Sequence, residues 1–334
     1  MANKREVWID ALRAFACICV LLVHAPTRND GQIGGAALLG PVNFLFMAWG
    51  VAVFFMISGA LLFGKTQEML PFYKKRFSRI LVPTVIWSVI YIFYDDFFIE
   101  PTSSKFHRIL MIPFTNQTAL VWFMYTLIGI YLVTPIVSCW LSNCKKRDVE
   151  IILILWGITL LMPVIKLLDP NCALMISGNG VFYHFYGFLG YALWGYYLRK
   201  YVELPIKSWK FFVLVLVAFG LPCCIYIVDF LPMDLLQSLM SIVSAVMATV
   251  AFIFFKDLNY KENWVMSFIH KFAEFSFGIY LCHMLFLMPL RYGLTQFHIN
   301  YAVQIPLTAL FVGGFSFLFV YFLSKLPKSR WLFG

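Results

Sequence analysis

Arg13 and His24 are the two residues of this chain whose types and spacing point most directly to chemistry. Both lie in the almost wholly apolar stretch 7–25. At about 100° per helical residue, their eleven-residue separation comes to three turns plus about 20°. They therefore share one face, roughly 16 Å apart along the axis. An ionisable group in a membrane-spanning segment is costly enough to mark a functional site by default. Two on one stripe point to a polar path through the bilayer. Asp10, three residues before Arg13, is placed to pair with it along the helix. Taken singly, Arg13 also fits snorkelling to the inner interface, and His24 fits an interfacial cap before Pro26. Neither alternative accounts for the shared face. A neutral imidazole serves as a general base or as a nucleophile.

Three further clusters stand out. In FYKKRFSRILVP, Arg76 and Arg79 are i,i+3 neighbours at the start of the third apolar run, a doubly cationic patch ended by Pro83. It suits a polyanionic cytoplasmic ligand, because Arg binds phosphate bidentately; topological charge and lipid headgroups are the alternatives. In SFGIYLCH, Ser276, Tyr280 and His283 fall at i, i+4 and i+7, so one face carries three polar groups. In FFMISGALLF, Ser58–Gly59 allows close helix approach or a polar contact inside a pore. Trp122 and Phe123 open the fourth run, where an aromatic belt is the default. His184 with Gly187, Gly190 and Gly195 reads as close packing.

These residues must be held by a membrane bundle. The chain is 62% hydrophobic and only 13% charged, with a mean hydropathy of +0.82. Soluble domains run near 45–50% apolar and about 25% charged. The apolar runs are roughly 20 residues long and continuous, which excludes the alternating strands of an outer-membrane barrel. Ten spans are predicted: 7–25, 42–63, 80–99, 119–143, 150–168, 181–199, 210–231, 235–256, 264–290 and 302–324. With loops assigned alternately, 20 Lys and Arg fall on the side of the termini and four (Arg28, Lys105, Arg108, Arg291) on the other. Arg13 and Lys166 lie within spans. The asymmetry puts both termini in the cytoplasm. It also accounts for the net charge of +10 without a nucleic-acid partner. The expected fold is all-α, a polytopic bundle forming one domain over residues 1–334. The first run is read as a retained span, since Arg13 interrupts its apolar core and no small-residue cleavage site follows. The eight cysteines lack metal or redox spacing and read as small core residues. Cys282 beside His283 points about 100° away from it.

Taken together, the segments resemble the acyltransferase-3 family of integral membrane acyltransferases. Arg13 and His24 stand as its Arg-x10-His signature, and FFMISGALLF, Arg76-x2-Arg79 with Pro83, and SFGIYLCH match further blocks in order. VWFMYTLIGIYLVTP and NGVFYHFYGFLGYALWG look like the branch that contains the enterobacterial common antigen O-acetyltransferase. Ala14 stands where many members have Gly, and Val121 precedes Trp122 in place of the family's His-Leu pair. The hydrolase-like domain fused to some members is lacking.

The resemblance implies transfer of an acyl group, usually acetyl from cytoplasmic acetyl-CoA as co-substrate. The acceptor would be a hydroxyl of a cell-surface polysaccharide or its lipid-linked precursor, at a bacterial inner membrane. His24 and Arg13 would be catalytic, and Arg13, Arg76 and Arg79 would meet the phosphates of acetyl-CoA. Ser58, Trp122, Tyr280 and His283 would line the acceptor side, the last two positioning the acceptor or stabilising the oxyanion. Thioester transfer needs no metal. The expected partners are acetyl-CoA, the glycan or lipid-linked saccharide acceptor and membrane lipids. A non-enzymatic exporter of acylated molecules or glycan is the other reading of ten helices with charges on one face. The sequence lacks the paired broken helices that usually mark alternating access.

Overall fold

The computed structural model describes residues 6–26, 49–65, 68–98, 104–118, 121–163, 165, 180–220, 240–294, 299–327 and 329–333. Outside them lie Lys4, Arg5, Arg28, Lys166 and Lys328 of the counted cations, and Cys172, Cys223 and Cys224. Among the described residues the chain is all-helical and has no strand.

The helices are α1 (Val7–His24), α2 (Gly50–Leu62), α3 (Met69–Phe98), α4 (Lys105–Met111), α5 (Trp122–Asn143) and α6 (Lys146–Thr159). They continue with α7 (Leu189–Tyr201), α8 (Trp209–Val215), α9 (Ile242–Asp257), α10 (Trp264–Leu294), α11 (Tyr301–Ser324) and α12 (Arg330–Phe333). A helix overlaps each of the ten predicted intervals. Among the described residues five are long and apolar enough to cross a membrane: α1, most of α3, α5, α10 and α11. The others are shorter, and the intervals predicted around α2, α6, α8 and α9 run on into residues 42–48, 166–168, 221–231 and 235–239, outside the described set.

Local chemistry sets several boundaries. The Ser241 hydroxyl accepts from the Ser244 N–H at 3.2 Å and starts α9, while the Asn300 side chain accepts from the Ala302 N–H at 2.9 Å and starts α11. Both satisfy amides that a helix N-terminus leaves without partners. In α6, the Asp148 carboxylate reaches back to the Lys145 N–H at 2.8 Å.

α3 departs from expectation. It begins at Met69, so Arg76 and Arg79 sit on a helix already formed, and it runs through Pro83 without ending. An interior proline removes one backbone hydrogen bond. Contacts on both sides of it keep the helix whole. Before it, the Tyr73 hydroxyl donates to the Leu132 carbonyl of α5 at 2.6 Å. After it, Trp87 Nε1 donates to the Leu332 carbonyl at 2.9 Å, and the Tyr91 hydroxyl donates to the Leu281 carbonyl.

α1 and α10 lie side by side and parallel. Asp10 meets His270 near their starts, Cys17 Sγ lies 4.0 Å from the Ser276 carbonyl at mid-length, and the His24 and His283 rings meet further along. α2 runs back along α1. A Cβ on Gly50 would fall 2.6 Å from Cys19 Cβ, while the Arg199 guanidinium joins Glu6 of the α1 start to the Ala60 carbonyl near the α2 end. α10 carries Pro289, which cannot donate to the Leu285 carbonyl four residues back. The Tyr94 hydroxyl donates there instead, at 3.1 Å.

α2 and α7 cross at backbone contact. A Cβ on Gly59 would lie 1.8 Å from the Ala192 carbonyl oxygen, and one on Gly195 2.0 Å from that of Met56. Gly190 is pressed against the Trp156 ring. These glycines serve the close packing their sequence suggests. Gly187 does not: it turns the chain at φ +124° and accepts from Trp156 Nε1 at 3.1 Å. The cysteine reading needs one amendment. Cys17, Cys19 and Cys282 are buried, but Cys139 is exposed. Lipid tails receive an exposed apolar thiol as readily as a core does, so burial is not required of it.

Gly59→Leu is expected to lower the detergent-solubilised melting temperature through overpacking of roughly 1–3 kcal/mol. Gly129→Ala, where a new Cβ meets nothing within 4 Å, should leave it unchanged or raise it slightly. Thermal unfolding of the two variants beside the parent decides.

Candidate functional site

The stripe that α1 turns toward α10 and the basic patch on α3 meet at one cavity, of about 320 Å³. That is the lower end of the range for small-molecule sites. α1 contributes Arg13 and Val20; α2 contributes Val51, Phe54, Ser58 and Leu61; α3 contributes Arg76, Arg79 and Ile80. α5 supplies Phe123, Leu127 and Tyr131, α10 supplies Glu274, Ser276 and Tyr280, and Phe333 of α12 closes one wall.

The cavity is polar at one end and apolar at the other. Arg13, Arg76 and Arg79 gather beside the starts of α1 and α10. Among the described residues neither Arg76 nor Arg79 has a carboxylate within salt-bridge distance, and Arg76 Nε is buried without a hydrogen-bond partner. The Arg76 guanidinium lies over the Phe72 ring, 5.9 Å from its centre, a stacking that orients its plane. Glu274, the acid on this wall, lies 3.0 Å from Lys271. Two arginines without acidic partners attract a polyanion.

Arg13 is held from behind. Asp10 lies 3.9 Å from its guanidinium, in the pairing the sequence predicts. Asp10 is itself buried and bonded to His270 Nδ1 at 2.8 Å. His270 also lies 3.5 Å from the Glu262 carboxylate. Sequence reading missed His270. It sits in the amphipathic start of the ninth predicted span, and only the parallel packing of α1 on α10 brings it to Asp10.

Phe123 and Tyr280 stand across the deep end, ring centres 5.1 Å apart. Beyond Tyr280 comes His283, 5.9 Å away, and beyond that His24, 5.4 Å further. His283 Nδ1 is 2.6 Å from the Tyr280 carbonyl. A carbonyl only accepts, so Nδ1 carries the proton and Nε2 presents a bare lone pair. Nε2 is buried and has no hydrogen-bond partner. The Arg291 guanidinium donates to the backbone carbonyl of His24. Arg291 is the second residue sequence reading missed, counted there as topological charge; the run from His283 to Arg291 is eight residues, just over two turns, and that spacing was the available signal.

The structure thus brings Arg13, Ser58, Arg76, Arg79 and Tyr280 together around the cavity, and His24 and His283 together behind it. His24 is not on the cavity wall. Ser58 donates to the Phe54 carbonyl at 2.9 Å while lining the space, so Ser58–Gly59 serves both uses, pore on one residue and packing on the next. Trp122 is set apart, against Phe188 at 5.6 Å and edge-on to Phe123. His184 is exposed on a short 3-10 turn, away from the site. Cys282 Sγ turns to the Ser316 carbonyl of α11 at 3.9 Å, so no thiol–imidazole pair forms with His283.

Apolar helices long enough to cross a bilayer pack here around a cavity with cations at one end and histidines beyond the other. The chain belongs to the acyltransferase-3 family: its acyltransferase domain matches residues 6–325. This protein is therefore a membrane acyltransferase. Comparison with curated proteins and with solved structures finds no significant match.

With the other cysteines replaced, Ser58→Cys should react readily with a small water-soluble thiol reagent. Cys282 alone, which is 0% exposed, should stay unmodified. Equal rates at both positions would show that the cavity does not reach Ser58.

Proposed function

We propose that the protein is a multi-pass O-acetyltransferase of a bacterial inner membrane. In this reading it moves acetyl from cytoplasmic acetyl-CoA to a hydroxyl of a cell-surface polysaccharide or its lipid-linked precursor. One observation carries the reading: a single cavity begins among three arginines and ends one aromatic ring short of the His24–His283 pair. The order matches the parts of the donor. Phosphates meet Arg76, Arg79 and Arg13, the largely apolar pantetheine arm fills the space past Ser58, and the thioester arrives at Phe123–Tyr280.

Two further observations support ten spans with both termini in the cytoplasm. The Lys and Arg of the loops segregate 20 to four under the alternate assignment. α1 and α10, the first and ninth predicted spans, run parallel, as two odd-numbered spans must. The arginine end of the cavity then faces the cytoplasm, where acetyl-CoA is made. The stretches around Trp122 and His184 favour the enterobacterial common antigen O-acetyltransferase branch within the family.

The chemistry needs a base and groups that orient the acceptor beside it. His24 takes the proton of the acceptor hydroxyl as its oxygen bonds to the acetyl carbon, and the proton passes to the CoA thiolate as the C–S bond breaks. Tyr280 lies between cavity and histidines, where it orients the reacting groups. His283, with Nδ1–H committed to a carbonyl, is left to accept a hydrogen bond from the acceptor and does not donate to the oxyanion. For transfer, the Phe123 and Tyr280 rings must part enough for the thioester to reach His24.

His24→Ala should lose acetyl transfer by roughly 10²–10⁴-fold, the range typical of a general base, while remaining folded in the membrane. Transfer at the parental rate would remove His24 from catalysis. Arg76→Ala and Arg79→Ala should each raise the KM for acetyl-CoA roughly ten-fold, the loss of one charge-assisted contact to phosphate. An unchanged donor dependence in both would separate these arginines from donor binding.

A further inference from the structure

Toward the end of α10 opposite the cavity mouth, His24, His283 and Arg291 meet, and two of them carry a buried nitrogen that no described residue bonds. His24 presents its ring to His283 at 5.4 Å. His283 offers a buried Nε2 lone pair with no partner. Arg291 donates one nitrogen to the His24 carbonyl, lies 4.0 Å from the Met288 sulfur with another, and has a buried Nε with no hydrogen bond. Among the described residues no carboxylate lies within salt-bridge distance of Arg291.

Capping α1 does not account for this arrangement. The whole C-terminal end of a helix carries only about half a negative charge, whereas a guanidinium brings a full positive charge and five N–H groups. A half-buried cation left without a counter-ion is unfavourable. So is a buried imidazole nitrogen left without a donor. Both deficits close at once if the bound molecule supplies an anion and a hydroxyl.

We propose that His24, His283 and Arg291 form the acceptor subsite, and that it takes an anionic saccharide. Its phosphate or carboxylate lies on the Arg291 guanidinium, and one of its hydroxyls donates to His283 Nε2. This rests on the acetyltransferase reading above and narrows its substrate class. The bare Nε2 recognises a donor, which a sugar hydroxyl is and an ester or ether oxygen is not. Arg291, by clamping the His24 backbone, ties the position of the anion to that of the catalytic ring. The anion has two sources: a phosphate linking the saccharide to lipid, or an acidic sugar.

Mass spectrometry of lipid-linked and surface saccharides, from cells with and without this chain, gives the first arm of the test. Acetyl on a phosphate-linked or carboxylate-bearing saccharide is the expected result, and the two masses tell the sources apart. Acetyl confined to neutral saccharides overturns the proposal while leaving the acetyltransferase reading standing. No acetylated saccharide at all removes both. The second arm uses purified protein, acetyl-CoA and the same saccharides deacetylated by mild base. Arg291→Gln should raise the acceptor KM at least ten-fold with little change in the acetyl-CoA KM, and Arg291→Lys should recover part of the loss. His283→Gln should restore more activity than His283→Leu, since its carbonyl oxygen can still accept. An unchanged acceptor KM in Arg291→Gln, or equal losses in the Gln and Leu variants of His283, would overturn the subsite. Retained acetyl-CoA binding reports folding, and the first arm needs no variant.

Discussion

The register between α1 and α10 is the constraint from which the site follows. Hydrocarbon offers no water to a buried polar group, so each must find its partner inside the protein. Asp10 with His270 fixes the pair of helices near their starts, and His24 with His283 fixes them further along. Between these points the same two faces carry Arg13, Val20, Ser276 and Tyr280 into the cavity. A slip of α1 by one helical turn would move Asp10 off His270 and His24 off His283 together. The polar contacts at the two ends thus specify one alignment, which apolar packing in lipid does only weakly.

Around that pair the bundle uses two different means of bringing helices close. α2 and α7 cross through glycine, with Gly59 and Gly195 allowing backbone to meet backbone. α3 is held to α5 and α10 by tyrosine hydroxyls that donate to helix carbonyls. Tyr94 is informative, because it serves the Leu285 carbonyl that Pro289 leaves without a donor. The weakened stretch of α10 lies within two turns of His283, so the histidine end is supported by α3 rather than by its own helix alone.

In the proposed reaction the cavity divides recognition from chemistry. Its arginine end would meet the phosphates of the donor. Its aromatic end, toward the histidines, would keep bulk water from a thioester that water hydrolyses. On α1 the cavity runs from Arg13 to Val20, with His24 a further turn along, and the acyl donor in the proposed reaction is itself an extended molecule with its charge at one end.

A good part of this was legible in the residues themselves. Continuous apolar runs name the helices, because lipid forces backbone hydrogen bonds to close within a segment. The shared face of Arg13 and His24, the Asp10 pairing, the Ser276–Tyr280–His283 stripe and the glycine contacts at Gly59, Gly190 and Gly195 all follow from 3.6-residue periodicity, a local property. What periodicity does not contain is which faces meet. That His270 backs Asp10, that Arg291 holds His24, that Gly187 is a turn, and that α3 stays helical through Pro83 depend on neighbours distant in sequence. So does the separation of His24 from the cavity by two aromatic rings. A helix specifies the direction of its own side chains, but only the packed bundle decides which of those directions become a wall, a partner or a site.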